Sequence, residues 1–402
     1  MPTFAYVARS RTGAAQKGTI DAESRQLVTQ QLQARGLTVE TIQVRGGIPG
    51  LSRARRIKTT EVLLFTRQLS TIVNAGLPLL QGLDILSEQT EDQRFAQIIQ
   101  EISEEVEGGE TFSEALRRHP NAFPDLYTSM VRAGEAGGDL DGVLSQLADY
   151  LEATEDLKRR IKSAMTYPVV AFSMIILIAS ALVIWVVPQF AEIFATFGKQ
   201  LPLPTRMLIE VSDWLRSWRL LVLIAAIIGA IFAIRVYGRT ETGRFNLDSL
   251  KLRLPVFGKL LRKVAISRFS RTLSTLTRSG VAILQALEIV ERTAGNEVFA
   301  RAVRNAGDSV RGGEALAEPL ARSGEFPALV TRMIGVGEKT GALESMLGKI
   351  SDFYDSEVKA AVDGLTSLIE PILILMMGIV VGTIVVCLFL PILQLSSVVA
   401  GG

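Results

Sequence analysis

Apolar and polar positions change their period along this chain. Phe4, Tyr6 and Ala8 alternate with polar residues, the pattern of a half-buried strand. Short strands are predicted again at Thr19–Asp21 and Thr38–Ile42, with a helix between them capped by Ser24 and running to Arg35. A Gly- and Arg-rich linker, residues 46–58, separates this small module, residues 1–45, from a long stretch with helical spacing. Val62, Phe65, Leu69, Ile72 and Val73 share one face of a helix capped by Thr60 and stopped at Gly76. A second helix follows Pro78 and a third spans Phe95–Val106. Thr111-x-x-Glu114, a capping-box spacing, opens a short fourth. A fifth runs from Asp125 to Gly134, and a sixth leaves Leu140 toward an apolar run.

This stretch is then repeated. Phe65-Thr66-Arg67-Gln68-Leu69 returns as Phe269-Ser270-Arg271-Thr272-Leu273, Gly76 as Gly280, and Gly108-Gly109-Glu110 as Gly312-Gly313-Glu314. Met130 to Glu135 returns as Met333 to Glu338. The register holds through Pro168 and Pro371, which open two apolar runs, and through Pro188 and Pro391, which close them. Duplication on this scale means one supersecondary unit used twice. Expected are two six-helix bundles, residues 59–168 and 237–370.

Val169–Val187 and Ile372–Leu393 carry no charge and match the roughly 20 residues that a helix needs to cross hydrocarbon. Leu220–Ile234 is shorter but apolar on all faces and extends back to Trp218, so it is read as a third span, residues 218–236. The fold class predicted is an all-α membrane protein: two helical repeats, three spans and a small α+β N-terminal module. Basic residues gather before the first span (Lys158, Arg159, Arg160, Lys162) and after the second (Arg235, Arg239, Arg244, Lys251, Arg253). They place both repeats and the N-terminus in the cytoplasm, with the loop 188–217 and the tail 394–402 outside. Trp185, Trp214 and Trp218 all fall at the outer interface in that topology. The opening residues have no apolar core of a signal peptide, and no span-length run precedes residue 168.

Composition narrows the chemistry. Net charge is +2, with 43 basic and 41 acidic residues, which argues against a nucleic-acid partner. A single cysteine, Cys387, excludes an intramolecular disulfide and a cysteine metal site. A single histidine, His119, is read as a helix-end residue near the negative end of a helix dipole. There is no G-x-x-x-x-G-K-[ST] and no H-E-x-x-H. Gly134-Glu135-Ala136-Gly137-Gly138 lacks a lysine and is read as a helix stop. Glu135, Asp139, Asp141 and Asp149 offer carboxylates for a divalent metal, against the plainer reading of a solvated helix face. No catalytic residue, cofactor or metal ligand is assigned. Gly378-x-x-x-Gly382 lets two helices approach closely, either inside the monomer or between subunits of a homo-oligomer.

Phe65-x-Arg67-Gln68-Leu69, Ala75-Gly76-x-Pro78-Leu79, Ala133-Gly134-Glu135-x-Gly137 and Gly337-Glu338-x-x-Gly341-x-Leu343 together resemble the F domain of type II secretion systems. That family includes the inner-membrane platform proteins of type IV pili. Phe4-x-Tyr6-x-Ala8, Gly18-x-Ile20 and Gly36-Leu37 resemble its N-terminal module, and Ala361–Pro371 looks more like the pilus branch. The resemblance implies a non-enzymatic protein of the bacterial inner membrane. It would couple a cytoplasmic hexameric ATPase to the insertion or removal of pilin helices, among other inner-membrane assembly proteins and lipid. The alternatives are a secretion platform and a small-solute transporter or channel subunit. Glu135, Asp139, Glu338 and Lys339 become candidates for ATPase contact, with Gly76, Gly134, Gly280 and Gly337 as structural turns. Thr272 for Gln68 and Ala282 for Pro78 mark the copies as non-equivalent.

Overall fold

A computed structural model describes residues 3–10, 15–21, 37–44, 57–189, 203–255 and 257–399. The predicted helix from Ser24 to Arg35, most of the linker and residues 190–202 of the outer loop lie outside these residues. Contacts divide the chain into Met1–Ile57 and Lys58–Gly402. In the first unit, β1 (Thr3–Ser10), β2 (Ala15–Asp21) and β3 (Leu37–Val44) form an antiparallel sheet ordered β2-β1-β3. Phe4 faces Ile20 on one side and Val44 on the other, and the β1–β3 register shifts between Val7 and Ala8.

The second unit is helical. Its first repeat comprises α1 (Thr59–Asn74), α2 (Leu79–Gln89), α3 (Gln93–Glu107), α4 (Phe112–Arg117), α5 (Asp125–Gly137) and α6 (Leu140–Ala181). A π-helical turn, Leu182–Val186, continues α6. Next come α7 (Leu203–Arg216), α8 (Trp218–Tyr237) and α9 (Glu241–Arg253). The second repeat is α10 (Phe257–Arg278), α11 (Ile283–Thr293), α12 (Glu297–Arg311), α13 (Ala317–Arg322), α14 (Ala328–Thr340) and α15 (Leu343–Val399). Helices two to five of each repeat have equal lengths: 11, 15, 6 and 13 residues.

The cores are also homologous. Phe65, Phe95 and Phe123 stack with centroids 5.6–6.0 Å apart, and Tyr127 adds a ring 4.9 Å from Phe123. Phe269, Phe299 and Phe326 occupy the same places in the second repeat, with centroids 4.8 and 5.4 Å apart. Val330 stands where Tyr127 stands. The buried Tyr127 hydroxyl lies 3.1 Å from Thr66 Oγ1, whereas Ser270, at the position of Thr66, has a buried hydroxyl with no partner.

Several expected boundaries move. α1 begins after Lys58 without a side-chain cap, so Thr60 does not cap it. Thr111 is the N-cap residue of α4, as expected, but its side chain makes no capping bond, and Glu114 of the supposed box pairs with Arg117. α5 runs past Gly134 to Gly137 and stops on the left-handed Gly138, φ 72°, as α14 stops on Gly341, φ 70°. Pro168 and Pro371 lie inside α6 and α15, so the repeats pass into the spans without a break. Pro391 does not close α15, which continues to Val399. A proline costs one backbone hydrogen bond there, a loss that neighbouring groups make good in membrane helices.

Leu140–Gln189, Trp218–Tyr237 and Leu343–Cys387 are long and apolar enough to cross a membrane. Their large side chains, such as Phe172, Leu177, Ile228, Phe232, Ile374 and Leu375, are exposed. Where α6 and α15 approach that region, Leu157, Ile161 and Ala164 pack against Val358, Val362 and Leu260.

Candidate functional site

The repeated Gly-Glu turn is built in the same way twice. Glu135, in the last turns of α5, reaches back to α4. Its two carboxylate oxygens accept from Phe112 N at 2.5 Å and Ser113 N at 3.1 Å. Glu338 of α14 accepts from Leu316 N at 2.5 Å and Ala317 N at 3.0 Å at the start of α13. Each carboxylate supplies acceptors to backbone donors that the short helix itself leaves unpaired, and adds a favourable charge at the positive end of its dipole. Asp139 is the N-cap of α6 and accepts from Gly142 N at 3.2 Å. Three of the four candidate contact residues therefore hold turns together. Lys339 is exposed in the last turn of α14.

The reading of Gly134 and Gly337 as helix stops is corrected. Both are buried inside their helices, and both are needed for close approach rather than for an unusual φ. A Cβ on Gly134 would lie 3.0 Å from Val143 and 3.1 Å from Asp139 O, and one on Gly337 only 2.8 Å from Leu343 Cα. The sixth helix of each repeat thus rests directly on the fifth. Gly76 and Gly280, with φ of 84° and 76°, do need the left-handed backbone.

Where the two repeats meet, polar groups join the apolar packing of Leu157, Ile161 and Ala164 against Val358 and Val362, and an arginine of each repeat lies near this seam. In the first repeat, Arg67 on α1 binds Asp149 at 2.8 Å and Glu152 at 2.5 Å on α6, all three well exposed. The two carboxylate hydrogen bonds hold the guanidinium above its ordinary value. In the second repeat, the corresponding Arg271 pairs with Asp355 of α15, which also accepts from Ser267 Oγ. This arginine is enclosed, and burial pushes its guanidinium down against the opposing charge of Asp352. The first repeat's α6 lies close by. Tyr150 hydroxyl is 3.2 Å from Thr272 Oγ1, and Ser279 Oγ donates to Gln146 at 2.9 Å. The departure of Thr272 from Gln68 falls at this seam, with Thr272 fully buried. Arg292 and Asp125 add an exposed pair at 2.6 Å between the repeats.

A cleft of about 740 Å³ opens between α6 and α15 beside this seam. Leu157, Ile161, Val358 and Val362 give it an apolar wall, and Asp156, Arg160, Lys359 and Asp363 line it with both charges. Such a surface suits a protein segment with apolar and charged faces. Among the described residues, no group of three or more His, Cys, Asp and Glu is arranged to hold a metal. Three of the four carboxylates first considered for one are committed elsewhere, Glu135 and Asp139 to caps and Asp149 to Arg67, while Asp141 is exposed in the first turn of α6. His119 follows the C-cap of α4, donates its backbone N–H to Leu116 O, and has Nε2 3.7 Å from Glu101. In α15, a Cβ on Gly378 or Gly382 would meet no heavy atom within 4 Å. Packing inside the monomer therefore does not account for that glycine pair.

Comparison with known proteins agrees with this duplicated layout. The family model for type II secretion system (T2SS), protein F matches residues 65–188 and again 269–391. The model for the N-terminal domain of type II secretion system protein F matches residues 1–43. The chain is 45% identical to a type IV pilus assembly protein PilC of Thermus thermophilus over 98% of each chain. It is 39% identical to the protein of that name in Myxococcus xanthus, covering 98% of this chain and 95% of the other. A type II secretion system protein F of Pseudomonas aeruginosa is 36% identical over 99% of this chain and 100% of its own.

Proposed function

The chain belongs to the type II secretion system protein F family, and from that membership we propose that it is the inner-membrane platform of a type IV pilus machine. The observation that carries the choice of branch is the identity to two pilus assembly relatives, 45% and 39%, against 36% for the secretion relative, at near-complete coverage. On this reading residues 59–168 and 237–370 are cytoplasmic and engage a hexameric ATPase. The spans, residues 169–187, 218–236 and 371–393, meet pilin helices. The N-terminus is cytoplasmic and the C-terminus periplasmic. The protein makes and breaks no covalent bond; it passes ATPase motion on to pilins entering or leaving the filament base. Support comes from the continuity of α6 and α15, each running from a cytoplasmic repeat into an apolar span without a break. A displacement of either repeat has a continuous helical path into the span, through Pro168 in α6 and Pro371 in α15.

Deletion and complementation test this. Loss of surface pili with intact protein export is the expected phenotype. Normal pili with an export defect would move the chain to the secretion reading, favoured at present only by shared family membership. Solute flux through liposomes containing the pure protein would contradict both.

A further inference from the structure

We propose that α7 lies in the plane of the membrane, its apolar face sunk in the leaflet at the far end of the spans from the helical repeats. The helix divides into three faces. At about 100° per residue, Leu203, Met207, Val211 and Trp214 share one side, and they are 69%, 63%, 49% and 37% exposed. Arg206, Glu210 and Asp213 share a second side and are exposed as well. Thr205 and Ser212 share a third and are fully buried.

The buried side fixes the depth. Thr205 Oγ1 donates to the peptide oxygen of Cys387 at 2.7 Å, inside the apolar stretch of α15. α7 also packs against the π-helical turn Leu182–Val186 and against α8. Val183, Val187, Ile384 and Cys387 are buried here, at a level where most neighbouring span residues are bare. α7 therefore clasps the ends of two membrane-long helices, and its exposed apolar side stands at the same level as theirs. A charged side adjoining an apolar one is what an interfacial helix requires, because the first stays in water while the second enters the acyl boundary. Trp185, Trp214 and Trp218, 69%, 37% and 71% exposed, are all at this end of the spans, where indoles favour the headgroup level. The occupant of the apolar side is the lipid leaflet, because that side stands at the level of the exposed apolar surface of the membrane-long helices.

The test uses the full-length chain in vesicles of phosphatidylcholine and phosphatidylglycerol. In a Cys387→Ala background, single cysteines at 203, 207 and 211 and at 206, 210 and 213 are spin-labelled. Collision with oxygen and with a water-soluble nickel chelate is then measured. Positions 203, 207 and 211 should have oxygen-to-nickel ratios several-fold above those at 206, 210 and 213. Equal nickel access at both sets would mean a helix in water, and shielding of 203, 207 and 211 from both probes would mean a protein partner; either overturns the proposal. If Cys387→Ala does not fold, a variant with Trp185→Phe and Trp218→Phe leaves Trp214 as the reporter. Brominated phosphatidylcholine should quench it more when the bromines lie near the headgroup than when they lie deep. No quenching at either depth refutes the placement.

Discussion

Removing the Glu338 carboxylate should open α13 without unfolding the rest of the second repeat. The carboxylate binds Leu316 N at 2.5 Å and Ala317 N at 3.0 Å. A side-chain cap contributes about 0.5–2 kcal/mol, and hydrogen bonds to a charged acceptor stand at the upper end of the usual range. Two such bonds to one short helix give an expected loss of about 2 kcal/mol in Glu338→Ala, a roughly 30-fold rise in local opening, since ~1.4 kcal/mol is tenfold. α13 has only 6 residues and cannot hold itself in helical form by propensity. Hydrogen exchange in the full-length protein in detergent, followed by mass spectrometry of peptides covering 314–322, should show the faster exchange there. Peptides from α10 should change little. Glu338→Gln keeps one acceptor oxygen and should recover about half of the loss. Unchanged exchange across 314–322 in a folded Glu338→Ala variant would refute the capping role. The same logic bears on partner mapping. Reversal to lysine would place a cation at a helix N-terminus, so lost ATPase binding in Glu135→Lys or Glu338→Lys would report a damaged turn. Lys339→Glu is the cleaner probe, and if Lys339 faces the ATPase it should weaken co-purification while leaving protein level unchanged.

Further expectations follow from the core and the turns. Ser270→Ala removes a buried hydroxyl without a partner and should stabilise the second repeat by about 1 kcal/mol in thermal unfolding; a clear loss would mean that the hydroxyl is paired. Gly337→Ala should cost more than Gly134→Ala, about 2–3 against about 1 kcal/mol, because the new carbon meets Leu343 backbone at 2.8 Å rather than Val143 side chain at 3.0 Å; equal denaturation midpoints would contradict this. Burial pushes the Tyr127 phenol up, against a smaller opposing effect of the Thr66 hydrogen bond. The neutral phenol therefore favours the fold fully below about pH 10, the ordinary phenol value, and that contribution falls as the unfolded chain ionises above it. Tyr127→Phe should flatten the alkaline loss of stability, and an unaltered alkaline limb would count against the assignment.

The repeat, the apolar runs and most helix starts were legible because each leaves a periodic signal in the residues. The Glu135 cap was not, since it joins residues 22 and 23 apart and no local period reports such a pairing. The one available signal was that the same glutamate recurs at 338, and recurrence alone does not distinguish a structural carboxylate from a contact carboxylate. Gly134 was misplaced for a related reason. Glycine marks both a left-handed turn and a close helix crossing, and the real stop, Gly138, stood four residues farther on. The Gln68 and Thr272 difference was visible, but the contact that Thr272 makes with Tyr150 at the seam depends on how the repeats pack.

The most direct test of the central proposal is what accompanies the tagged chain when native membranes are dissolved in mild detergent. A platform of the pilus machine should bring down a hexameric filament ATPase and pilin together, and loss of the pilus ATPase gene should remove only the first. Recovery of neither, or of a secretion ATPase with its pseudopilins instead, would contradict the account.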